Sequence, residues 1–576
     1  GCPRGQIRDF SGSVKFGGPM PWGERGPQLA LGITDLGGAA TYFRSSYWVS
    51  DLKAGPFDFA VGSAKRSVPT APLHGVFGRV GLRLTDYAQV NLESIAGDQW
   101  AQLRLSPLKT LGVTQLNPTV SYTQRLGDSP LTDKGFWSVG VTVPIGRAMR
   151  DPQFGSSGVP LKRVQQAPLE TLGDRLAHQG FYEVRWAQDG SRLVLRAENQ
   201  SFLWNSLDAA GVALGQLLSV LKPQDAFRLE ITQRQQVVLA VEGTADCATQ
   251  FLEFGRTCLT GEPLRVVPNR QIRHALFPIE WRLAALLPRP ELQVSPAITS
   301  AIGTEAGAFD FDLAANLTLQ VPLWRGALYE FNRVVPLDAH TKDFERGRPF
   351  YGARFRTANN REVVSQIVPL SAIWTTAKLS HGRVATDWEG WQVDTYTQVP
   401  ESGHRFSLSY GHFENERLSV ASREREPQLA SWRYNPAWLS EAELELQAGK
   451  YWAGDRGYTF TQRFWYGDTA FSTYLRRSRL KPSDNFTSFF GFQITLPLTP
   501  RVFRTSPYAN LRGTNQFAYS VETKVFEKDN RLTPGFGVVP RVSETLSTVF
   551  NRDRSHEAYT ERNLDRLSEA FQTLTR

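Results

Sequence analysis

The segment Ala442–Leu498, AELELQAGKYWAGDRGYTFTQRFWYGDTAFSTYLRRSRLKPSDNFTSFFGFQITLPL, decides the fold class. The turn-forming pairs Gly454-Asp455 and Gly467-Asp468 and the triplet Pro482-Ser483-Asp484 cut it into four strand-length pieces. In the last piece Phe490, Phe492, Ile494, Leu496 and Leu498 fall on one face, and Gly491, Gln493 and Thr495 on the other. That is period two, the mark of a strand with one apolar and one polar side. The same alternation recurs over most of the chain without a matching supply of helices. A bilayer accepts β structure only as closed barrels, because every backbone group must be paired internally. The pattern predicts a mostly β protein: a transmembrane antiparallel β-barrel, apolar toward lipid and polar toward a wet lumen.

Upstream, AFDFDLAANLTLQVPL sets Phe309, Phe311, Leu313, Leu317, Leu319 and Val321 against Asp310, Asp312, Asn316, Thr318 and Gln320. YGARFRT, IWTTAKLS, EGWQVDTYTQV and HRFSLSYGHF read as further strands. The stretches LDAHTKDFERGRP and ASREREPQLASWRYNPAWLS break the rhythm and read as long surface loops. About eight strand-like pieces also fill the chain up to Gly146. There Val80, Leu82 and Leu84 oppose Arg79, Gly81 and Arg83, and Leu103 and Leu105 oppose Gln102 and Arg104.

Between the two strand-rich regions the period changes. PLETLGDRLAHQG and NSLDAAGVALGQLLSVL have helical spacing, the latter capped by Asn205 or Ser206. Paired strands separate these helices, giving a small α+β domain suited to periplasmic docking. The tail has Leu564, Leu567, Phe571 and Leu574 at helical spacing among charges. It reads as an amphipathic helix that docks on a partner or plugs the barrel's periplasmic mouth. The expected organisation is therefore 1–150, a strand block; 151–267, the periplasmic domain; 268–530, a second strand block; and 531–576, the helical extension. The two blocks make one large composite barrel or two abutting ones.

Composition agrees. At 576 residues the chain is too long for one ordinary domain. Charged residues make up 21%, mean hydropathy is −0.33, and no run of about 18 apolar residues occurs, which excludes a helical membrane bundle. Fifteen Trp, 17 Tyr and 35 Phe could furnish interfacial girdles, with Trp137, Trp452 and Trp465 near strand ends. The net charge of +9 is scattered, which argues against a nucleic-acid partner and suits lipid phosphates or an acidic polymer.

Of the three cysteines, Cys247 and Cys258 are close enough to form a disulfide in an oxidising compartment, or to stand as two buried thiols. Gly1-Cys2 resembles the end of a lipoprotein signal, making Cys2 a candidate lipidation site, although a residue preceding it does not fit a mature lipidated end.

AGKYWAGDRGYTFTQRFWYGDTAFSTYLRRS closely resembles the late strands of the YjbH family of exopolysaccharide and capsule export proteins. LGGAATYFRSSYWV, RLAHQGFYEVRW and GTNQFAYSVETKVFEKDNRLTPGFG resemble other landmarks of that family in the same order. The resemblance implies a Gram-negative outer-membrane barrel with a periplasmic domain. Its partners would be a secreted polysaccharide, outer-membrane lipids and periplasmic polysaccharide-export proteins. It implies no catalytic residues, and no cofactor or metal is expected.

A polymer conduit needs a hydrated wall without a tight arresting site. Arg79, Arg83, Arg104, Asn91, Gln102, Asp310, Asp312, Arg354 and Arg356 are the candidate lumen residues. Their arginines either meet a passing acidic polymer or merely neutralise Glu93, Asp310 and Asp312. A non-conducting scaffold for export partners is the alternative. A barrel enzyme would use His404 and His412, or a carboxylate pair such as Glu443 and Glu445, but no G-x-S-x-G elbow accompanies them.

Overall fold

The alternating segments form two large sheets, and the helical middle region forms a smaller one. The structure, a computed structural model, describes residues 12–19, 27–36, 44–69, 71–85, 88–95, 97–105, 117–126, 135–142, 162–255, 258, 261–267, 282–283, 289–302, 309–439, 441–502, 509–525, 536–551, 554 and 556–575. Cys2 lies outside them. The chain divides into two compact units, Gly1–Asp151 with Thr523–Arg531, and Pro152–Glu522 with Leu532–Arg576.

In the first unit nine strands, from Gly12–Pro19 to Gly135–Thr142, pair in chain order, each antiparallel to the next. Register lines up like with like. One row runs Leu52, Phe59, Val80, Leu92, and the neighbouring row on the opposite face runs Asp58, Gly81, Asn91, Gln102, Thr123.

The second unit contains a sheet of fifteen strands. From Glu291–Ile302 to Thr487–Leu496 the strands run up and down in chain order. The four strands of the segment first quoted are Ala442–Lys450, Arg456–Tyr466, Thr469–Arg479 and Thr487–Leu496. Gly454 and Gly467 take positive φ at their turns, a conformation a side chain would strain. At its outer edges the pairing path ends in Asn510–Gly513, parallel to Glu291–Ile302, and Phe517–Val525. These edge strands are neighbours in the chain, and Ser300 Oγ lies 2.7 Å from Tyr519 Oη.

A meander of this kind has two sets of turns. At one end they lie around Trp324, Trp374, Trp438 and Gly467; at the other lie the loops 341–357 and 415–427 and the turn at Gly454.

The middle region forms a six-stranded sheet, parallel only between Arg192–Asn199 and Ala226–Gln233. Helices α1 (Leu172–Gln179), α2 (Ser206–Leu218) and α3 (Ala245–Phe254) accompany it, and Asn205 caps α2 by accepting from Leu207 N. Cys247 and Cys258 form a disulfide with Cα atoms 5.0 Å apart. The tail contributes α4 (Leu546–Val549), α5 (Glu557–Arg562) and α6 (Asp565–Leu574). Leu567 and Phe571 of α6 enter the hydrophobic core of this region, where Gly211 and Gly215 leave them room: a Cβ at either position would stand 2.3–2.4 Å from α6. The middle region shares a compact unit with the large sheet. Phe202 bridges Val502, and Trp204 Nε1 donates to Thr499 O at 2.8 Å.

Four expectations need correction. YGARFRT is not a strand: Tyr351–Ala353 is a short 3-10 turn, Arg354 ends it, and Arg356 is exposed beyond it. Phe344 stacks on Phe350, and Phe355 N donates to Asp312 at 2.7 Å, so this loop folds back on the strand ends instead of joining the ladder. Conversely Gln428–Tyr434, read as loop, is a strand paired on both sides. Trp452 and Trp465 do not sit in an exposed girdle; Trp465 is buried and Trp452 packs against Trp388 and Phe413. The last helix docks on α2 and α3 of its own chain and touches the large sheet at the Asp468 turn through Arg566, while the segment before it lies against the sheet itself.

Candidate functional site

Both large sheets invert the distribution of a water-soluble core. One face exposes large apolar side chains: Val80, Leu82 and Leu103 in the first unit; Val368, Leu379, Phe406, Leu408 and Phe492 in the second. The other face buries polar and charged groups. Exposed apolar residues are ordinary singly, but continuous faces of them are not.

In the first unit the buried face carries a chain of side-chain hydrogen bonds. Gln89 Nε2 donates to Asp58 at 2.9 Å and to Asn91 at 3.0 Å; Asn91 donates to Gln102 at 3.0 Å, and Gln102 to Thr123 at 3.1 Å. Gly81 makes the chain possible, since a Cβ there would stand 2.6 Å from both Asn91 and Gln89. Arg79, Arg83 and Arg104 share this face: Arg79 stands opposite Glu93, while Arg83 and Arg104 flank Gln89. Among the described residues none of the three has a carboxylate partner, and Arg79 Nε is buried without an acceptor.

The second sheet treats its cations differently. Arg361 meets Glu330 at 2.6 Å, Arg433 meets Glu445 at 2.9 Å, and Arg476 meets Glu522 at 2.7 Å. Arg512 meets Glu291 at 2.7 Å and Lys378 meets Asp394 at 3.2 Å. Glu443 accepts from Arg405 at 2.8 Å and Arg463 at 2.5 Å. Glu443 and Glu445 are thus committed to guanidinium groups. His404 stacks on Tyr434 and accepts from Trp432 Nε1, whereas His412 lies beside Glu414 and Glu426. Asp310 and Asp312 are buried on the polar face as the alternation implies; Asp312 holds the folded-back loop, and one Asp310 oxygen has no donor. Arg354 pairs with the exposed Asp338 in the loop and does not join the others.

These ion pairs were not legible in advance, because their partners lie across the ladder. Arg405 and Glu443 are 38 residues apart. A charge recurring every second residue was the available signal.

The middle region adds an unusual carboxyl. Glu198 is buried and its pKa is pushed up to about 7 by burial, against hydrogen bonds from Thr232 and Gln235 N. Above it the hairpin turn Arg234-Gln235 has both residues at positive φ, 52° and 60°, which is strained for side chains that are not glycine. Arg234 reaches from this turn to Glu544 at 2.9 Å and Gln320 at 2.9 Å.

No family model matches the chain, and no curated protein matches it. Among solved structures, the P pilus usher (PapC) translocation pore aligns over 85% of this chain and 91% of that one, at 8% identity and a TM-score of 0.18. So loose a superposition carries no argument.

Proposed function

We propose that the chain is an outer-membrane β-barrel component of polysaccharide export, the role implied by its resemblance to the YjbH family. The single observation carrying the membrane reading is the inversion of the sheets: apolar faces exposed in both, and ionic groups buried on the opposite face of the larger one. In water this arrangement forfeits about 25 cal/mol for each Å² of apolar surface left exposed; against acyl chains it does not. The adjacency of the edge strands and the Ser300–Tyr519 contact support closure of the larger sheet. Exposed Trp324, Trp374 and Trp438 lie at turns on one end, as an interfacial belt requires. The longer loops occupy the other end, and bacterial barrels keep short turns in the periplasm, so the α+β region on the short-turn side is read as periplasmic.

Within this reading the first unit carries the polymer-facing chemistry. Three guanidinium groups without carboxylate partners among the described residues, beside a continuous amide row, suit transient bidentate contact with acidic sugars. Replacing Arg79, Arg83 and Arg104 together by Gln should lower export of an acidic polymer several-fold while barrel abundance stays normal. Undiminished export at normal abundance removes the arginines from the mechanism. Loss of the assembled barrel assigns them to structure.

A further inference from the structure

The tail runs along the buried face of the fifteen-stranded sheet from one set of turns to the other. At the long-loop end Gly537 N donates to Asp455 at 2.8 Å, and Trp452 N donates to Val538 O at 3.1 Å. Midway, Lys378 Nζ donates to Ser543 Oγ and Glu544 O, both at 2.7 Å, and Glu544 N donates to Glu330 at 3.2 Å. At the short-turn end Phe550 stacks on Tyr396 with ring centroids 4.4 Å apart, and Arg554 donates to Gly467 O and Asp468. The contacts advance in order along both the segment and the strands.

The seat is built for the segment. Val363, Val384, Trp388 and Phe413 form an apolar island on the buried face, completed by Val542, and Ile367 and Tyr396 form a second one with Leu546 and Val549. A bare island of this kind would be a liability on a hydrated wall. Yet Gly537–Thr545 forms no strand and joins no ladder, so the sheet's own hydrogen bonds do not depend on it. Its C-terminal side is fixed independently: Arg566 of α6 bonds Asp208 of α2 through two contacts of 2.7 Å.

We propose that residues 537–554 are a tethered plug that closes the bore of the larger sheet at rest, with Lys378, Glu330 and Asp455 as its releasable clasps. This rests on the conduit reading above. A closed barrel with about 16 strands leaves an aqueous channel if empty. Here the plug, helped by Arg234 at the hairpin tip, occupies that space. Displacing it keeps the sheet's own pairs, Arg361 with Glu330 and Lys378 with Asp394, and α6 stays docked.

The test replaces residues 537–545 by a Gly-Ser sequence of equal length, in a Cys2→Ser background, keeping α4–α6. Ser380 is fully buried and its Oγ lies 3.1 Å from Ser543 Oγ, so Ser380→Cys reports the seat. In detergent, a water-soluble maleimide should label that thiol at least tenfold faster in the replaced chain than with the native segment. In planar bilayers the replaced chain should conduct several-fold more than the native one. A Ser380→Cys/Ser543→Cys pair, oxidised, should hold conductance at the native floor, and a mild reductant should release it to whatever openings the native chain shows. Equal conductance in native, locked and replaced chains overturns the plug while leaving the conduit. Unchanged labelling of a folded replaced chain also overturns it, as does a locked chain that conducts like the replaced one. Faster labelling with no conductance in any form defeats the conduit reading itself, and the plug with it.

Discussion

At the scale of single residues, two buried carboxylates of the α+β region behave oppositely. Asp208 is fully buried, which alone would push its carboxyl up, but Arg566 and Arg501 more than offset this and hold it below its ordinary value. Asp208→Asn would leave two guanidinium groups facing a neutral amide, and removing one partner of such a pair costs about 3–5 kcal/mol. The expected result is early release of α6, read as protease cleavage near residue 564 before global unfolding. At Glu198 the compensation is too weak to offset burial. Burial raises its pKa from 4.5 to about 7, with Glu183 adding to the rise and Arg234 opposing it. The folded chain therefore binds this proton more tightly than the unfolded chain. That contribution is complete below pH 4.5 and has gone once pH exceeds about 7. Glu198→Gln should stabilise the folded chain at pH 8 by about 3 kcal/mol, read as a higher midpoint of thermal unfolding, and leave the midpoint unchanged near pH 4. A shift of equal size at both values would mean that the carboxyl is not the group responsible.

At the scale of elements, the α+β region is completed by a helix from the far end of the chain. Gly211 approaches Leu567 O so closely that Gly211→Val must push α6 away. Loss of the Leu567 and Phe571 packing should cost about 3–5 kcal/mol, visible as exposed apolar surface by dye binding. The disulfide ties Cys247 in the first turn of α3 to Cys258, 11 positions further on, so that most of the helix lies inside the loop it closes. Cys247→Ser/Cys258→Ser should lower stability by about 2–3 kcal/mol, measured by denaturant unfolding of the full chain.

At the scale of the whole molecule, the exposed apolar faces make the sharpest test of environment. Leu379 and Leu408 are 52% and 60% exposed on the outer face of the larger sheet. In water, Leu379→Arg/Leu408→Arg should change stability by no more than about 0.5 kcal/mol per site. In a bilayer each arginine costs about 2–4 kcal/mol near the midplane. Recovery of folded protein in lipid vesicles, compared with recovery of the same pair at exposed loop positions, separates the two. Period two is a local property, written in adjacent side chains, so strand positions, the polarity of each face and the turns at Gly454 and Gly467 were legible from sequence. So was the helical character of Leu564–Leu574. The same locality explains the failures. Arg354 and Arg356 alternate like strand residues, but Phe344, Phe350 and Asp312 draw their segment into a loop, and no local pattern encodes that competition. Val363, Val384, Trp388 and Phe413 look like faults in an alternating strand until Val542 lies upon them. Gly537–Thr545 has no period at all, because its backbone is held by side chains scattered over the sheet. Which carboxylate neutralises which guanidinium, and what lies against the polar wall, depend on register and on contacts across hundreds of residues; only the tertiary structure decides them.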